Sequence, residues 1–354
     1  MDAKLQHLTD KVLQGEEINR QEAEWLTQID IEELAQGADR IRQERQQDEF
    51  DMCSVISIKG GRCSEDCKFC SQASCSKAAV KSYPLRGTEE IMEDAKKRSA
   101  QGIRHYCLVA SGHHLSEREV DELCETVRVI RKDTALRPCV SGGLMNKDQF
   151  MRLKEAGVVR IHNNLETSRT HFAKVCGSHT YDDKIATLKA AKEAGLSLCS
   201  GGLFGIGESM ADRLDLAFTL REIAPDTVPI NLLDPVEGTP MGHNKVLTEE
   251  EVRRIIGVFK YILPNGIFPV IANTTMGMSN AILTEAGLSF LGLGDPSIIS
   301  WGQMIYTGKQ YITSAWWISA FAGIAIVITV LVFYLLGDGL NHVLNPKHLN
   351  RGAN

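Results

Sequence analysis

The chain has 354 residues, 43% hydrophobic and 24% charged, with a formal net charge of −6. That is apolar enough to bury the core of two domains or one large α/β barrel, and it excludes a disordered tail. The acidic balance argues against a general nucleic-acid binder.

The averages conceal a break. Only Glu285, Asp295, Lys309, Asp338, Lys347 and Arg351 carry charge beyond residue 265, and all ten cysteines lie at or before Cys199. Residues 1–50 are polar and charge-rich, a helical lead-in with no apolar core for a secretory signal. The cysteines are therefore expected in a reducing cytoplasm, as ligands or buried thiols rather than disulfides. Six short apolar runs follow, at 53–59, 104–110, 137–142, 158–163, 196–203 and 227–233. Ser116 and Glu119 form a capping box, and Val120, Leu123, Val127 and Ile130 then share one helical face. Thr88 and Asn146 are expected N-caps, and Gly102, Gly157 and Gly195 helix-ending glycines just before the next strand. Strands alternating with helices predict an α/β fold with a parallel sheet, open or closed into a barrel over 51–265.

The sharpest motif is Cys63-Ser-Glu-Asp-Cys67-Lys-Phe-Cys70 in the loop after the first run. Three thiolates can hold three irons of a 4Fe–4S cluster and leave the fourth iron open. A zinc site is the plainer reading, with Cys75 as a fourth ligand. Cys107, Cys139 and Cys199 each sit in a strand of a different βα unit, where inward-pointing side chains can converge. Core packing is the alternative for each of them.

This C-x3-C-x2-C resembles the signature of radical S-adenosylmethionine (SAM) enzymes. The stretch from Ser57 to Ser74 is similar to the biotin synthase family, as are Tyr106-Cys107-Leu-Val-Ala-Ser-Gly, Asn163-Asn164-Leu-Glu166-Thr-Ser168, His179-Thr-Tyr-Asp-Asp, Cys199-Ser-Gly-Gly and 229–240. The resemblance runs from about residue 10 to Asn265. It implies a TIM-type (β/α) barrel, a 4Fe–4S cluster on Cys63, Cys67 and Cys70, and SAM at its open iron. It also implies a second, sulfur-donating 2Fe–2S cluster on Cys107, Cys139 and Cys199. It maps Lys59, Asn164 and Asn231 onto SAM- or dethiobiotin-contacting positions, and Glu166 onto the SAM ribose. Gly205 and Glu208 fall in the glycine turn beside adenine. Cys53, Cys75, Cys124 and Cys176 match no ligand position. The family's fourth ligand to the second cluster, an arginine on the seventh strand, is absent: no arginine occurs between Arg254 and Arg351.

The last 89 residues, 266–354, read differently. Residues 310–337 carry no charge, and roughly 20 apolar residues suffice to cross a bilayer, so spans are expected near 314–336 and near 262–284. Ala281-Ile-Leu-Thr-Glu285-Ala-Gly-Leu-Ser-Phe-Leu-Gly-Leu-Gly294, Ser300-Trp-Gly and Leu335-Leu-Gly-Asp-Gly-Leu340 resemble the end of oligopeptide and dipeptide transporter permeases. Ile262-Leu-Pro-Asn265 is common to both resemblances, and the switch falls there. About six of eight barrel strands precede it, so the barrel is expected to be incomplete, with open edges at the first and sixth strands. Residues 267–272 are a weak seventh run, interrupted by Pro269.

The expected activity is conversion of dethiobiotin to biotin by sulfur insertion between C6 and C9, with flavodoxin or ferredoxin as electron donor. A homodimer, a cytoplasmic catalytic part, a membrane contact through the tail and no nucleic-acid partner complete the expectation. The alternatives are an inactive membrane-associated chimera or another radical SAM enzyme.

Overall fold

The computed structural model describes residues 2–46, 52–61, 63–264, 286–287, 289, 300–311 and 315–343, with side chains in the last segment through Val332. The chain divides into two units, Met1–Pro269 and Val270–Asn354.

In the first unit the lead-in forms three helices, α1 (Ala3–Leu13), α2 (Arg20–Leu26) and α3 (Ile31–Gln46). Their apolar faces bury Leu5, Leu8, Val12, Leu34 and Ile41. They pack against α10 (Glu249–Ile262), where the Thr9 and Tyr261 hydroxyls hydrogen-bond at 2.7 Å.

Parallel strands β1 (Cys53–Lys59), β2 (His105–Ala110), β3 (Arg137–Ser141), β4 (Arg160–His162) and β5 (Ser197–Cys199) pair in sequence order. A further parallel pair joins β6 (Gly202–Phe204) to β7 (Ile230–Leu232). Each of the six expected runs holds a strand, but the fifth is broken in two. At the break stands Gly201, whose backbone lies so close to Pro229 that a Cβ would collide with its carbonyl. Hydrogen bonding nevertheless continues across the break. Ser200 N–H donates to Thr227 O at 3.0 Å and Leu203 N–H to Glu166 O at 2.8 Å. Among the described residues β1 and β7 are the outermost strands, and the weak run at 267–272 lies outside them.

Helices α4 (Thr88–Ala100), α5 (Glu117–Asp133), α6 (Lys147–Ala156), α7 (Arg169–Val175), α8 (Tyr181–Glu193) and α9 (Met210–Ile223) connect the strands. The Ser116–Glu119 capping box is present, and Val120, Leu123, Val127 and Ile130 are buried as expected. Asn146 caps α6, but Gly87 rather than Thr88 precedes α4, because Thr88 is already helical and its hydroxyl pairs with Thr126. Gly157 ends α6 with φ of 112°, whereas Gly102 and Gly195 fall one residue past their helix caps.

Strand alternation sorts the side chains. Ile58, Tyr106, Leu108, Val140, Ile161 and Leu198 enter the core between sheet and helices. The opposite parity, Cys53, Val55, Cys107, Cys139, Arg160, His162 and Cys199, faces the concave lumen.

In the second unit, α11 (Trp301–Gly308) is followed by a short 3-10 turn and α12 (Trp317–Val343). Among the described residues no helix is long and apolar enough to cross a membrane. The transmembrane expectation is corrected to that extent. Of the other span, near 262–284, everything beyond Pro264 lies outside the described residues.

Candidate functional site: a cysteine loop above a cysteine-lined lumen

The C-x3-C-x2-C loop runs from the end of β1 across the mouth of the lumen. Cys63, Cys67 and Cys70 are all half-buried. Short turns shape the loop: Cys63 N–H donates to Gln72 O at 2.7 Å and Cys70 N–H to Cys67 O at 3.0 Å. Its orientation comes from the loop between α7 and α8. The Asp66 carboxylate accepts from Gly177 N–H at 2.8 Å and Ser178 N–H at 2.9 Å. Burial works against its charge, yet these donors hold the Asp66 carboxyl well below the usual carboxylate range. Glu65, itself buried, accepts from Ser178 Oγ at 2.8 Å and lies 2.5 Å from His179 Nδ1 and 3.0 Å from His113 Nδ1. Those bonds outweigh burial and lower its pKa. For His179, burial opposes the charge, but Cys176 and Glu65 together raise the pKa.

Cys67 Sγ lies 3.7 Å from Cys176 Sγ and donates to it, so Cys67 is pushed up and Cys176 down. From the sequence, Cys176 matches no ligand position, and His113 with His114 after Gly112 reads as a solvated loop pair, with a metal-binding pair as the alternative. Nothing in local spacing signals either contact, because the partners are over 40 positions apart in sequence. Cys75 is exposed and bonds Asp66 O at 3.3 Å.

In the lumen, parallel register sets Val55, Cys107, Cys139, Arg160 and Ser197 in one row. Cys199 pairs with His162 in the next row, with His162 Nδ1 3.2 Å from Cys199 Sγ. Burial lowers the His162 pKa to about 4, which keeps the ring neutral. Burial first, and then the neighbouring thiols, push Cys107 far up. The three strand cysteines are thus brought together on one concave face.

The remaining expected residues divide. Asn164, Glu166 and Asn231 line one cavity of about 350 Å³, together with Phe69 of the cysteine loop, His162 and Leu233. Glu166 adopts φ of 69°, and burial raises its carboxyl pKa. Asn164 Oδ1 accepts from Gly201 N–H at 3.1 Å, and Asn231 Nδ2 donates to Gly202 O at 3.2 Å, so both amides are held at the fifth-strand break. Lys59 lies elsewhere, in a cavity of about 600 Å³ beside Cys63 and His113, paired with Glu119 at 2.6 Å. Glu208 lines neither of these two cavities. Its carboxylate accepts from Gly205 N–H, Ile206 N–H and Arg213, closing the glycine turn from inside.

The donor sets fit the implied groups. The loop offers three thiols, with Cys63 and Glu166 both within electrostatic reach of Cys70. Such a set would hold three irons of a 4Fe–4S cluster, and Phe69 of the same loop lines the Asn164–Glu166 cavity.

The profile of the Radical SAM superfamily matches residues 57–220. Biotin synthase 2 of Corynebacterium diphtheriae is 41% identical over 305 residues, 86% of this chain and 91% of that protein. The chain belongs to the biotin synthase family. Biotin synthase of Clostridium botulinum is 39% identical over 297 residues, covering 84% of this chain and 91% of the relative. Both matches are longer than the stretch before Asn265, so the likeness runs on past the switch. A second profile, of the inner membrane component of binding-protein-dependent transport systems, matches residues 252–349. Among solved structures, methylornithine synthase is 21% identical with a TM-score of 0.66, over 74% of this chain and 78% of that one. The FeFe-hydrogenase maturase HydG of Carboxydothermus hydrogenoformans is 19% identical with a TM-score of 0.65, over 75% and 65%. At these identities the likeness speaks for the fold alone. As a radical SAM family member the chain is an enzyme that uses a 4Fe–4S cluster and SAM.

Proposed function

We propose that the chain converts dethiobiotin to biotin, with the loop and the lumen holding two different clusters. The observation that carries this reading is the meeting of Cys107, Cys139 and Cys199 on the lumen face beneath a complete C-x3-C-x2-C loop. When bound, the loop cluster supplies the electron that cleaves SAM, and the lumen cluster supplies the sulfur. The protein's own part is positioning. Cys63, Cys67 and Cys70 hold the first group, and the Asp66 and Glu65 hydrogen bonds keep that loop over the lumen. Glu166 and Asn164 meet the SAM ribose and carboxylate end, and Asn231 presents its amide to the ureido ring of dethiobiotin. Lys59 stands at the rim beside Cys63. Gly205 lets backbone approach adenine, with Glu208 shaping that turn from behind.

The test is anaerobic turnover with a chemical reductant, SAM and dethiobiotin. Formation of 5′-deoxyadenosine that depends on dethiobiotin, together with biotin, is the expected result. SAM cleavage indifferent to dethiobiotin, with no biotin, would reassign the chain to another radical SAM reaction. A flavodoxin or ferredoxin as physiological donor and a homodimer belong to the same proposal.

The tail is proposed as a membrane contact. Its support is the permease-type match together with the exposed apolar side chains of Phe321, Ile324, Val327, Ile328 and Leu331 on α12. Co-sedimentation of the full chain with lipid vesicles is expected, and its absence removes this part of the reading.

A further inference from the structure

The strand cysteines provide three thiols, and the sequence supplies no arginine beyond Arg254 to complete the set until Arg351. The lumen holds another thiol. On β1, Ile58 is fully buried in the core and Ile56 packs against it, so Cys53, two and four positions from Val55 and Ser57 and in phase with both, shares the lumen face with them. Register places Val55 beside Cys107 and Cys53 beside His105, one pleat repeat below. Cys53 and Cys107 are therefore diagonal neighbours across adjacent strands, on one face and one pleat repeat apart. Val55, between them on the same face, is 56% exposed, so the space in front of this pair is open.

We propose that Cys53 is the fourth protein ligand of the lumen cluster. This rests on the reading of Cys107, Cys139 and Cys199 as the other three. Two nitrogen side chains also face the lumen, and each is the poorer choice. Arg160 already donates through Nε to Ser197 Oγ at 3.4 Å, and its charge balances that of the thiolates. His162 already holds Cys199 Sγ through Nδ1. Four thiolates are the ordinary complement of both 2Fe–2S and 4Fe–4S clusters. Relative to a set with a neutral or cationic fourth ligand, they add negative charge and make the cluster harder to reduce.

The experiment uses the full chain, reconstituted anaerobically with iron and sulfide. Iron and sulfide per chain are counted, and Mössbauer and EPR spectra are recorded, for the wild type and for Cys53→Ala, Cys53→Ser, Cys139→Ala and Cys124→Ala. Cys124 is a buried helix cysteine outside the lumen and controls for the loss of a buried thiol. The expected result is that Cys53→Ala loses lumen-cluster iron as Cys139→Ala does, while the loop-cluster signal persists in both and Cys124→Ala keeps both clusters. Cys53→Ser, which conserves shape, is expected to shift the lumen-cluster spectrum even where iron is retained. If Cys139→Ala loses that iron and both Cys53 variants match the wild type, Cys53 is not a ligand and the inference is overturned. If Cys139→Ala also matches the wild type, the lumen cluster itself is absent, and the inference falls with the reading beneath it.

Discussion

The two cysteine sets are positioned by different physics. Cys63, Cys67 and Cys70 sit on a loop whose place over the lumen depends on side-chain hydrogen bonds to residues more than 100 positions away, at Gly177, Ser178 and His179. Cys107, Cys139 and Cys199 are placed by the backbone ladder, where each strand's register determines its neighbour's. A polar clamp can be cut by one substitution. A ladder cannot, since its donors and acceptors are main-chain groups. The loop should therefore be fragile toward changes that leave all its thiols intact, and the lumen set robust toward the same changes.

The largest contrast comes from the thiols themselves. Cys67→Ala is expected to abolish SAM cleavage and remove the loop-cluster signal while the lumen cluster stays. Independent loss in each set, followed by iron content and EPR, checks that two sites exist rather than one. If Cys67→Ala also emptied the lumen, the separation drawn here between loop and ladder would be wrong.

Next in size is the turn after β6. Glu208 and Arg213 form a buried ion pair at 2.8 Å, with side-chain exposures of 2% and 9%. Removing one partner leaves an unpaired buried charge, so Glu208→Ala should cost about 3–5 kcal/mol of unfolding free energy. Urea unfolding of the cluster-free chain measures it. A weakened SAM affinity without this loss of stability would instead put Glu208 in contact with the nucleotide.

Cutting the loop clamp is a smaller effect with a clearer signature. Asp66→Ala removes two charge-assisted hydrogen bonds from the exposed N–H groups of Gly177 and Ser178, at a cost of about 1.5 kcal/mol. Loop-cluster occupancy should fall and lumen-cluster occupancy should not, read as iron per chain in Cys139→Ala and Cys67→Ala backgrounds respectively. Equal losses at both sites would show that the clamp supports the whole lumen rather than the loop.

These differences also explain what could be read from the sequence. C-x3-C-x2-C is a local pattern, so Cys63, Cys67 and Cys70 stand out without any fold. Cys107, Cys139 and Cys199 become visible because each lies in a strand, and a parallel sheet gives strands a common inward face. Cys53 lies in the same kind of strand and faces the same lumen, yet it matches no motif; only the register with β2 brings it to Cys107. Cys176 and His113 are more hidden still, because their partners arrive through tertiary packing of two loops. The fifth run was legible as a strand, but its break was not. At that break Gly201 approaches Pro229 closely, a contact between segments that hydrophobic patterning does not encode. Apolar composition alone suggested a membrane span in the tail, and among the described residues no helix is long and apolar enough to cross a membrane.

The smallest effect tests a clamp remote from both clusters, at the start of α9. Asp212 completes the capping box with Ser209 and also accepts from Ser168 Oγ at 2.6 Å and Thr170 Oγ1 at 3.1 Å, tying α7 to α9. Burial alone would raise its carboxyl, but these hydroxyl and amide donors win and hold it well below its ordinary value of 3.8. A carboxyl depressed in the folded state binds protons more readily when unfolded. Its contribution is therefore complete at neutral pH and declines as the pH falls through 3.8 toward the folded value. Asp212→Asn, which keeps the shape and loses the charge, should cost about 1 kcal/mol at pH 7, the size of one cap with charge-assisted bonds. The gap between variant and wild type should narrow steadily below pH 4 in urea unfolding of the cluster-free chain. A gap that stays constant with pH would mean that Asp212 acts through shape and hydrogen-bond geometry alone, and that a polar clamp on this scaffold can be as indifferent to charge as the strand ladder.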